Sequence, residues 1–418
     1  MEQTLFHSHR TLLQAKLKEQ HDLDLFVVGS FTPMQQTNDA SAPFIQEAHF
    51  YYLTGIDEPG WTLLVDDTES VLIAPKISDT EAIFNGQHDF SQICNTSGVD
   101  RVVPRNEGLR LLRAAVKKYR KVGVVGPDPY RRYNSFHHNP AQKALSDMLK
   151  KMAGELVDIR PIIARQRAQK NTDELTIMRE AIGNTVKAFK TAHNALLSKQ
   201  YEYDLEAEFG YVFRSHNAQH AYEPIVAGGS NACTLHYAKN NAALPKNGLV
   251  LIDIGARFNG YCADITRTYA IGEPSSREKA VHAAVQKAHF AIIDLIRPGV
   301  TFKDYQDGTD TIMKEALRSL GLLNTPADYR KYFPHAISHG LGIDVHESLG
   351  GYKEFQPGMV LTVEPGIYIP EEGIGVRIED DILVTEAGNE NLSAALKFSF
   401  PASVTKISRS EEHTSELQ

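Results

Sequence analysis

Several stretches of this chain set an acid or a histidine on largely apolar segments, most of them carrying a glycine or proline that bends the backbone. They are LVLIDIG with Asp253, YCADITRTY with Asp264, FPHAISHGLGIDVHE with His335, His339 and His346, MVLTVEPGIY with Glu364, and IGVRIEDDILV with Arg377 and Glu379. Carboxylates aimed at one small volume repel each other unless cations or shared protons sit between them. Asp253, Asp264, Glu364 and Glu379 carry about four negative charges, which two divalent cations would neutralise. With one or more of the histidines they form an oxygen-rich donor set that suits manganese first, with cobalt or zinc as alternatives. Two such ions some 3.5–4 Å apart would activate a water near neutral pH and polarise a carbonyl oxygen. The chemistry implied is hydrolysis of an amide or ester without a covalent intermediate. No serine or cysteine stands in a competing nucleophile motif.

The element that must position the two aspartates is a β-hairpin. Apolar residues crowd both arms, and Asn259-Gly260 between them suits a tight two-residue turn with positive φ angles. That centre sets Asp253 opposite Thr266 and Gly255 opposite Asp264. The two acids then project to one side as diagonal neighbours, with α-carbons roughly 7–8 Å apart. Glu364 ends a strand just before Pro365-Gly366. Arg377 and Glu379 alternate with Val376 and Ile378, so they share the face turned away from the core.

The first third reads as an α/β unit. Ser8 is expected to cap a helix running to about Gln20. Strands are expected at Leu23–Ser30, Ala48–Gly55, Trp61–Asp67, Ser70–Lys76 and Lys121–Gly126, with helices at Glu107–Tyr119 and Pro140–Met152. A boundary falls near Pro161–Asn171, giving units 1–165 and 166–408. Thr172 opens a helix reaching about Leu197, and others follow at Tyr203–His216, Ser276–Ile296 and Phe302–Leu320. His236 follows the Gly228-Gly229 bend, just before the hairpin. Late strands with intervening helices predict an α+β second unit around an antiparallel sheet.

Composition sets the outer limits. The 418 residues, 42% hydrophobic and 23% charged, suffice for two or three domains. A net charge of −8 and the lack of a Lys/Arg block argue against nucleic acid or an anionic membrane as partner. No apolar run approaches a membrane span, and residues 1–10 lack a signal core. Three scattered cysteines fit a reducing cytoplasm, with Cys262 packed rather than reactive. The last ten residues, RSEEHTSELQ at 409–418, read like a translated sequencing-adapter oligonucleotide, so they are expected to be non-native.

Taken together, DIG, ADITR, SHGLG, VEPG and RIED resemble, in that order, the creatinase/aminopeptidase P family of metallopeptidases, and HFYYLTG is similar to a stretch of its amino-terminal domain. The resemblance covers most of the chain and implies a pita-bread catalytic fold behind a smaller α/β domain. It implies that Asp253, Asp264, His339, Glu364 and Glu379 bind two metal ions, with Asp264 and Glu379 bridging both. Asp253 would hold one ion, and His339 and Glu364 the other. Glu364 would also carry a proton from water to the leaving nitrogen, while His236 and His346 would bind the substrate and the oxyanion. His335 would lie by the proline subsite, with Arg377 and Tyr368 beside the reacting groups. The implied reaction is removal of the first residue from peptides beginning X-Pro. A dipeptidase restricted to X-Pro is the alternative, and a metal-free binding module a distant one. The resemblance also implies a homodimer or homotetramer whose amino-terminal domain partly closes a neighbour's cleft.

Overall fold

The structure is a computed structural model that describes residues 2–126 and 137–397. The non-native tail expected at 409–418 lies outside the described residues.

Six strands form the first sheet: β1 (Phe26–Gly29), β2 (Thr62–Val65), β3 (Ser70–Ile73), β4 (Arg101–Val103), β5 (Lys121–Val124) and β6 (Glu155–Asp158). Their order is β4-β3-β2-β1-β5-β6, mixing parallel and antiparallel pairs. Both faces are covered, because alternate residues of the central strand enter different cores. Phe26 and Val28 join the cluster under the helices Glu2–His21 and Ala48–Thr54. Val27 joins the cluster containing Leu112 and Leu149, from the helices Arg105–Tyr119 and Ala141–Lys150.

Two expectations fail in this region. The first helix begins at Glu2, and Ser8 sits inside it with its hydroxyl donating to the Leu5 carbonyl at 2.7 Å. Ala48–Gly55 is a helix rather than a strand. Glu47 caps it by accepting from the Phe50 amide at 2.6 Å, and Gly55 closes it in the left-handed region at φ 66°. A short run buried on all sides has no polar face, so apolar composition alone cannot separate strand from helix there. The stretch read as a boundary also contains a helix, Arg160–Ala168.

The later part of the chain is built from small antiparallel sheets. In order come β7 (Gln219–His220), β8 (Ile225–Gly228), β9 (Gly248–Ile254), β10 (Ala256–Phe258), β11 (Tyr261–Cys262) and β12 (Ile265–Ile271). They are followed by β13 (Val360–Val363), β14 (Gly366–Ile369), β15 (Ile374–Arg377), β16 (Asp380–Val384) and β17 (Asn389–Asn391). The sheets are β12-β9-β8, β11-β10-β7, β13-β16-β17 and β14-β15. Long helices flank them. Asn171 caps Thr172–Ala195 reciprocally with Glu174, and Ser275 caps Ser276–Ile293 with Glu278.

The central hairpin keeps the expected register, Thr266 facing Asp253, with Asn259 at φ 44° and Gly260 at φ 80° in the turn. It is not one continuous ladder. At Gly255 the chains cross so closely that a Cβ would stand 1.8 Å from the Ala263 carbonyl oxygen. The tip, β10 and β11, therefore peels away and pairs with β7. A Cβ on Gly260 would meet the Tyr51 ring at 2.1 Å, so the amino-terminal half rests directly on the hairpin turn. No helix among the described residues is long and apolar enough to cross a membrane.

Candidate active site

The four candidate carboxylate ligands come from strand ends. Asp253 is near the end of β9, Asp264 precedes β12, Glu364 follows β13, and Glu379 joins β15 to β16. His339 lies on an extended stretch held against β13 by reciprocal bonds, the Thr362 amide to the His339 carbonyl at 3.0 Å and the His339 amide to the Thr362 hydroxyl at 3.2 Å. These residues converge on one cavity of about 390 Å³, which His236, His335, His346 and Arg377 also line. Tyr368 lies beside it rather than on its wall; its hydroxyl accepts from Arg377 at 2.9 Å and contacts His335 Nε2 at 3.0 Å.

The donors fall into overlapping triads whose ligand atoms lie within 4.8 Å of one another: Asp253, Asp264 and Glu379; His339, Glu364 and Glu379; and Asp264, His339 and His346. Glu379 is shared between the first two. Burial and mutual repulsion hold Asp264 and Glu379 well above the usual carboxylate range, and burial pushes Glu364 up to about 8. Burial drives His339 down to about 4 and His335 down to about 3, so these rings add no positive charge at neutral pH. Arg377 supplies one cation, donating to Asp253 Oδ2 at 2.5 Å. Fully ionised, these four carboxyls against one guanidinium would leave a negative excess in a buried space, which only protons or cations can relieve.

This set fits divalent cations. Nδ1 of His339 faces the Gly340 carbonyl at 3.1 Å and must carry the proton there. Its Nε2 lone pair then points toward Asp264 Oδ2 and Glu364 Oε1, 3.5 and 3.6 Å away. A backbone carbonyl fixing one ring nitrogen so that the other is a free donor is how metal-binding histidines are commonly oriented.

Tyr222 and Thr266 join the site without having been singled out in the sequence. The Tyr222 hydroxyl lies 2.6 Å from both Asp253 Oδ1 and Asp264 Oδ1. A phenol has one proton, so one of these contacts uses a carboxyl proton, in keeping with the raised Asp264. The Thr266 hydroxyl donates to Glu379 Oε2 at 2.6 Å. Thr266 could have been found from the hairpin register, which sets it opposite Asp253. Tyr222 sits between β7 and β8 with no spacing signal.

A model for metallopeptidase family M24 matches residues 176–386, half of the chain. The chain belongs to this family. Ahead of the M24 region, residues 6–124 match the aminopeptidase P amino-terminal domain. Similar M24 proteins include the Xaa-Pro aminopeptidase of Haemophilus influenzae, 33% identical over 94% of this chain and 94% of that one. The Xaa-Pro aminopeptidase of Escherichia coli is 32% identical over 86% of this chain and 88% of that one. Among solved structures, aminopeptidase P from E. coli with the inhibitor Pro-Leu superposes with a TM-score of 0.83 at 30% identity, covering 96% of each chain. A zinc-substituted E. coli aminopeptidase P in complex with product gives 0.83 at 29% identity and the same coverage. The pita-bread architecture expected for the catalytic half is therefore the fold of this M24 chain.

For an M24 site, Tyr222 has a testable role. Tyr222→Phe removes the hydroxyl that spans Asp253 and Asp264, and apparent metal affinity is expected to fall roughly 10- to 100-fold. Activity at saturating metal should stay within a few-fold of the parent. Metal titration followed by peptide turnover measures both, and unchanged affinity would exclude the role.

Proposed function

We infer that this chain is a metal-dependent Xaa-Pro aminopeptidase that removes the first residue from peptides beginning X-Pro. The observation that carries the reading is the pair of donor triads meeting at Glu379, with a neutral His339 oriented as a ligand. Asp253, Asp264, His339, Glu364 and Glu379 would hold two divalent cations, Asp264 and Glu379 contributing to both, Asp253 to one and His339 with Glu364 to the other. The cations, manganese in preference to cobalt or zinc, supply Lewis acidity that lowers the pKa of water and polarises a carbonyl.

The protein's own side chains supply the rest. Glu364 takes the proton of the attacking water and passes it to the leaving nitrogen. His236 and His346, which both line the cavity, hydrogen-bond the substrate and the oxygen that becomes negatively charged, a contribution of a few kcal/mol each. Arg377 and Tyr368 hold Asp253 and His335 in place.

An X-Pro amide has no N–H, and its ring fixes the backbone, so general peptidases fit it poorly. His335 provides a surface for that ring. It packs edge-on to Phe333 and Tyr368, at centroid distances of 5.0 and 5.5 Å, and burial keeps it uncharged. A charged imidazolium would not welcome an apolar pyrrolidine.

A length series tests the reading. In manganese buffer, X-Pro-Y and longer peptides should be cleaved at the first bond, with X-Pro dipeptides poorer. Turnover confined to dipeptides would make the enzyme a prolidase, and no turnover of either would overturn the reading. We further propose a cytoplasmic enzyme whose amino-terminal unit, ending near residue 165, faces a neighbouring subunit in a dimer or tetramer. Ile83 and Phe84, each 81% exposed on a helix with no buried residues, support an oligomer contact there. A monomeric mass in solution would count against it.

A further inference from the structure

Glu202 begins the helix Glu202–Ser215 and is completely buried. Glutamate is rarely buried unless its oxygens are paired. Here Oε1 accepts from the Gly228 amide and from Asn231 Nδ2, both at 2.9 Å. Oε2 accepts from the Tyr237 hydroxyl at 2.8 Å and the Ala242 amide at 2.9 Å. Two donors on each oxygen match a carboxylate's four lone-pair sites.

All four donors come from residues 228–242, which run from the last residue of β8 into the segment before β9 and carry His236. Its far end is tied again, the Glu202 amide donating to the Ala242 carbonyl at 3.0 Å and the Leu244 amide to the Gln200 carbonyl at 2.8 Å. At its near end a Cβ on Gly228 would crowd Pro245 Cδ at 2.9 Å, so the segment is closed tightly on itself. None of the four donors belongs to a candidate metal ligand. One buried side chain thus gathers both ends and the middle of the segment, and His236 is displayed next to the bonded Tyr237.

We propose that Glu202 is a positioning residue for His236, fixing where that imidazole meets the substrate carbonyl. The proposal rests on the aminopeptidase reading and on His236 acting in it. Glutamine at 202 keeps the shape but turns an NH₂ toward one pair of donors. A backbone N–H cannot rotate away from it, so the segment must shift. Displacements of about an ångström can cost up to roughly a hundredfold in rate.

The test is a double-mutant cycle on an X-Pro-Y peptide with Glu202→Gln and His236→Ala, each at saturating Mn²⁺. Glu202→Gln alone should lower kcat/KM roughly tenfold to a hundredfold. It should leave Mn²⁺ affinity unchanged and speed amide hydrogen exchange within 229–243. In the His236→Ala background the same substitution should have almost no further effect. Equal losses in both backgrounds would overturn the proposal, as would full activity of His236→Ala. If Glu202→Gln does not fold, Tyr237→Phe removes one of the four donors and enters the same cycle. Failure of the parent enzyme to cleave the peptide would instead refute the underlying reading.

Discussion

Asp264→Asn is expected to abolish peptide hydrolysis while leaving the metal-free fold at least as stable as the parent. The substitution preserves shape and removes one charge from the centre of the donor set, where Asp264 belongs to two of the three ligand triads. Losing a member of a catalytic unit costs roughly four orders of magnitude or more in kcat/KM. Stability should move the other way. Burial and the nearby Asp253 hold the Asp264 carboxyl well above its ordinary range, so ionising it opposes folding when no cation is present. A neutral amide relieves that opposition. Thermal unfolding in EDTA at pH 8 should show the variant melting no lower than the parent, and added metal should raise only the parent substantially. A variant that cleaves X-Pro peptides at more than about one hundredth of the parent rate would contradict the role given to Asp264.

Chelation should silence the enzyme completely and also reverse the sign of its pH–stability slope. Glu364 is raised from 4.5 to about 8 by burial, and Glu379 and Asp264 are raised as well. A carboxyl whose folded pKa lies above its unfolded one contributes stability that is present below the unfolded value. That contribution is lost as pH rises through the folded value. Buried histidines act oppositely: His282, His289, His335 and His339 are lowered from 6.5, so their contribution is present above 6.5 and lost on acidification. Between pH 6.5 and 8 the histidine contribution to the slope fades as the unfolded rings also lose their protons. The three raised carboxyls still hold protons that the unfolded chain has lost, so the chelated protein should lose stability as pH rises. With excess Mn²⁺ the same window should show stability rising or holding, because cations bind the deprotonated ligands. Melting curves at four pH values, with and without EDTA, suffice. Parallel slopes in the two series would mean that the carboxylates do not share a metal site.

Much of the site was legible in the sequence because Asp253, His339 and Glu364 each sit beside a residue that bends the chain. Gly255, Pro365 and the glycines around His339 are visible in one dimension, and the Asn-Gly turn is enough to align Asp253 with Thr266. The supporting partners were hidden for a physical reason: they are hydrogen bonds between distant segments. Glu202 meets Tyr237, Arg167 meets Glu347, and Tyr222 bridges two acids, and none of these pairs follows a helical or strand period. The helices at Ala48–Thr54 and Arg160–Ala168 were missed because they are short and largely buried, so neither displays the polar stripe that marks an amphipathic helix.

The contacts between the two halves carry a consequence for how such a protein can be divided. Tyr51 lies against the turn at Gly260, and Arg167 and Lys170 donate to Glu347, which adjoins His346 and whose side chain is only 4% exposed. A fragment starting at the M24 match would strip that glutamate of both counter-charges and leave an aromatic-sized hole over the turn. Gene fusions or expression clones that begin at residue 176 would therefore inherit a lesion at the very loop that presents the histidines. Any transplant of this catalytic half onto another leader must carry Arg167, Lys170 and a replacement for the Tyr51 ring with it.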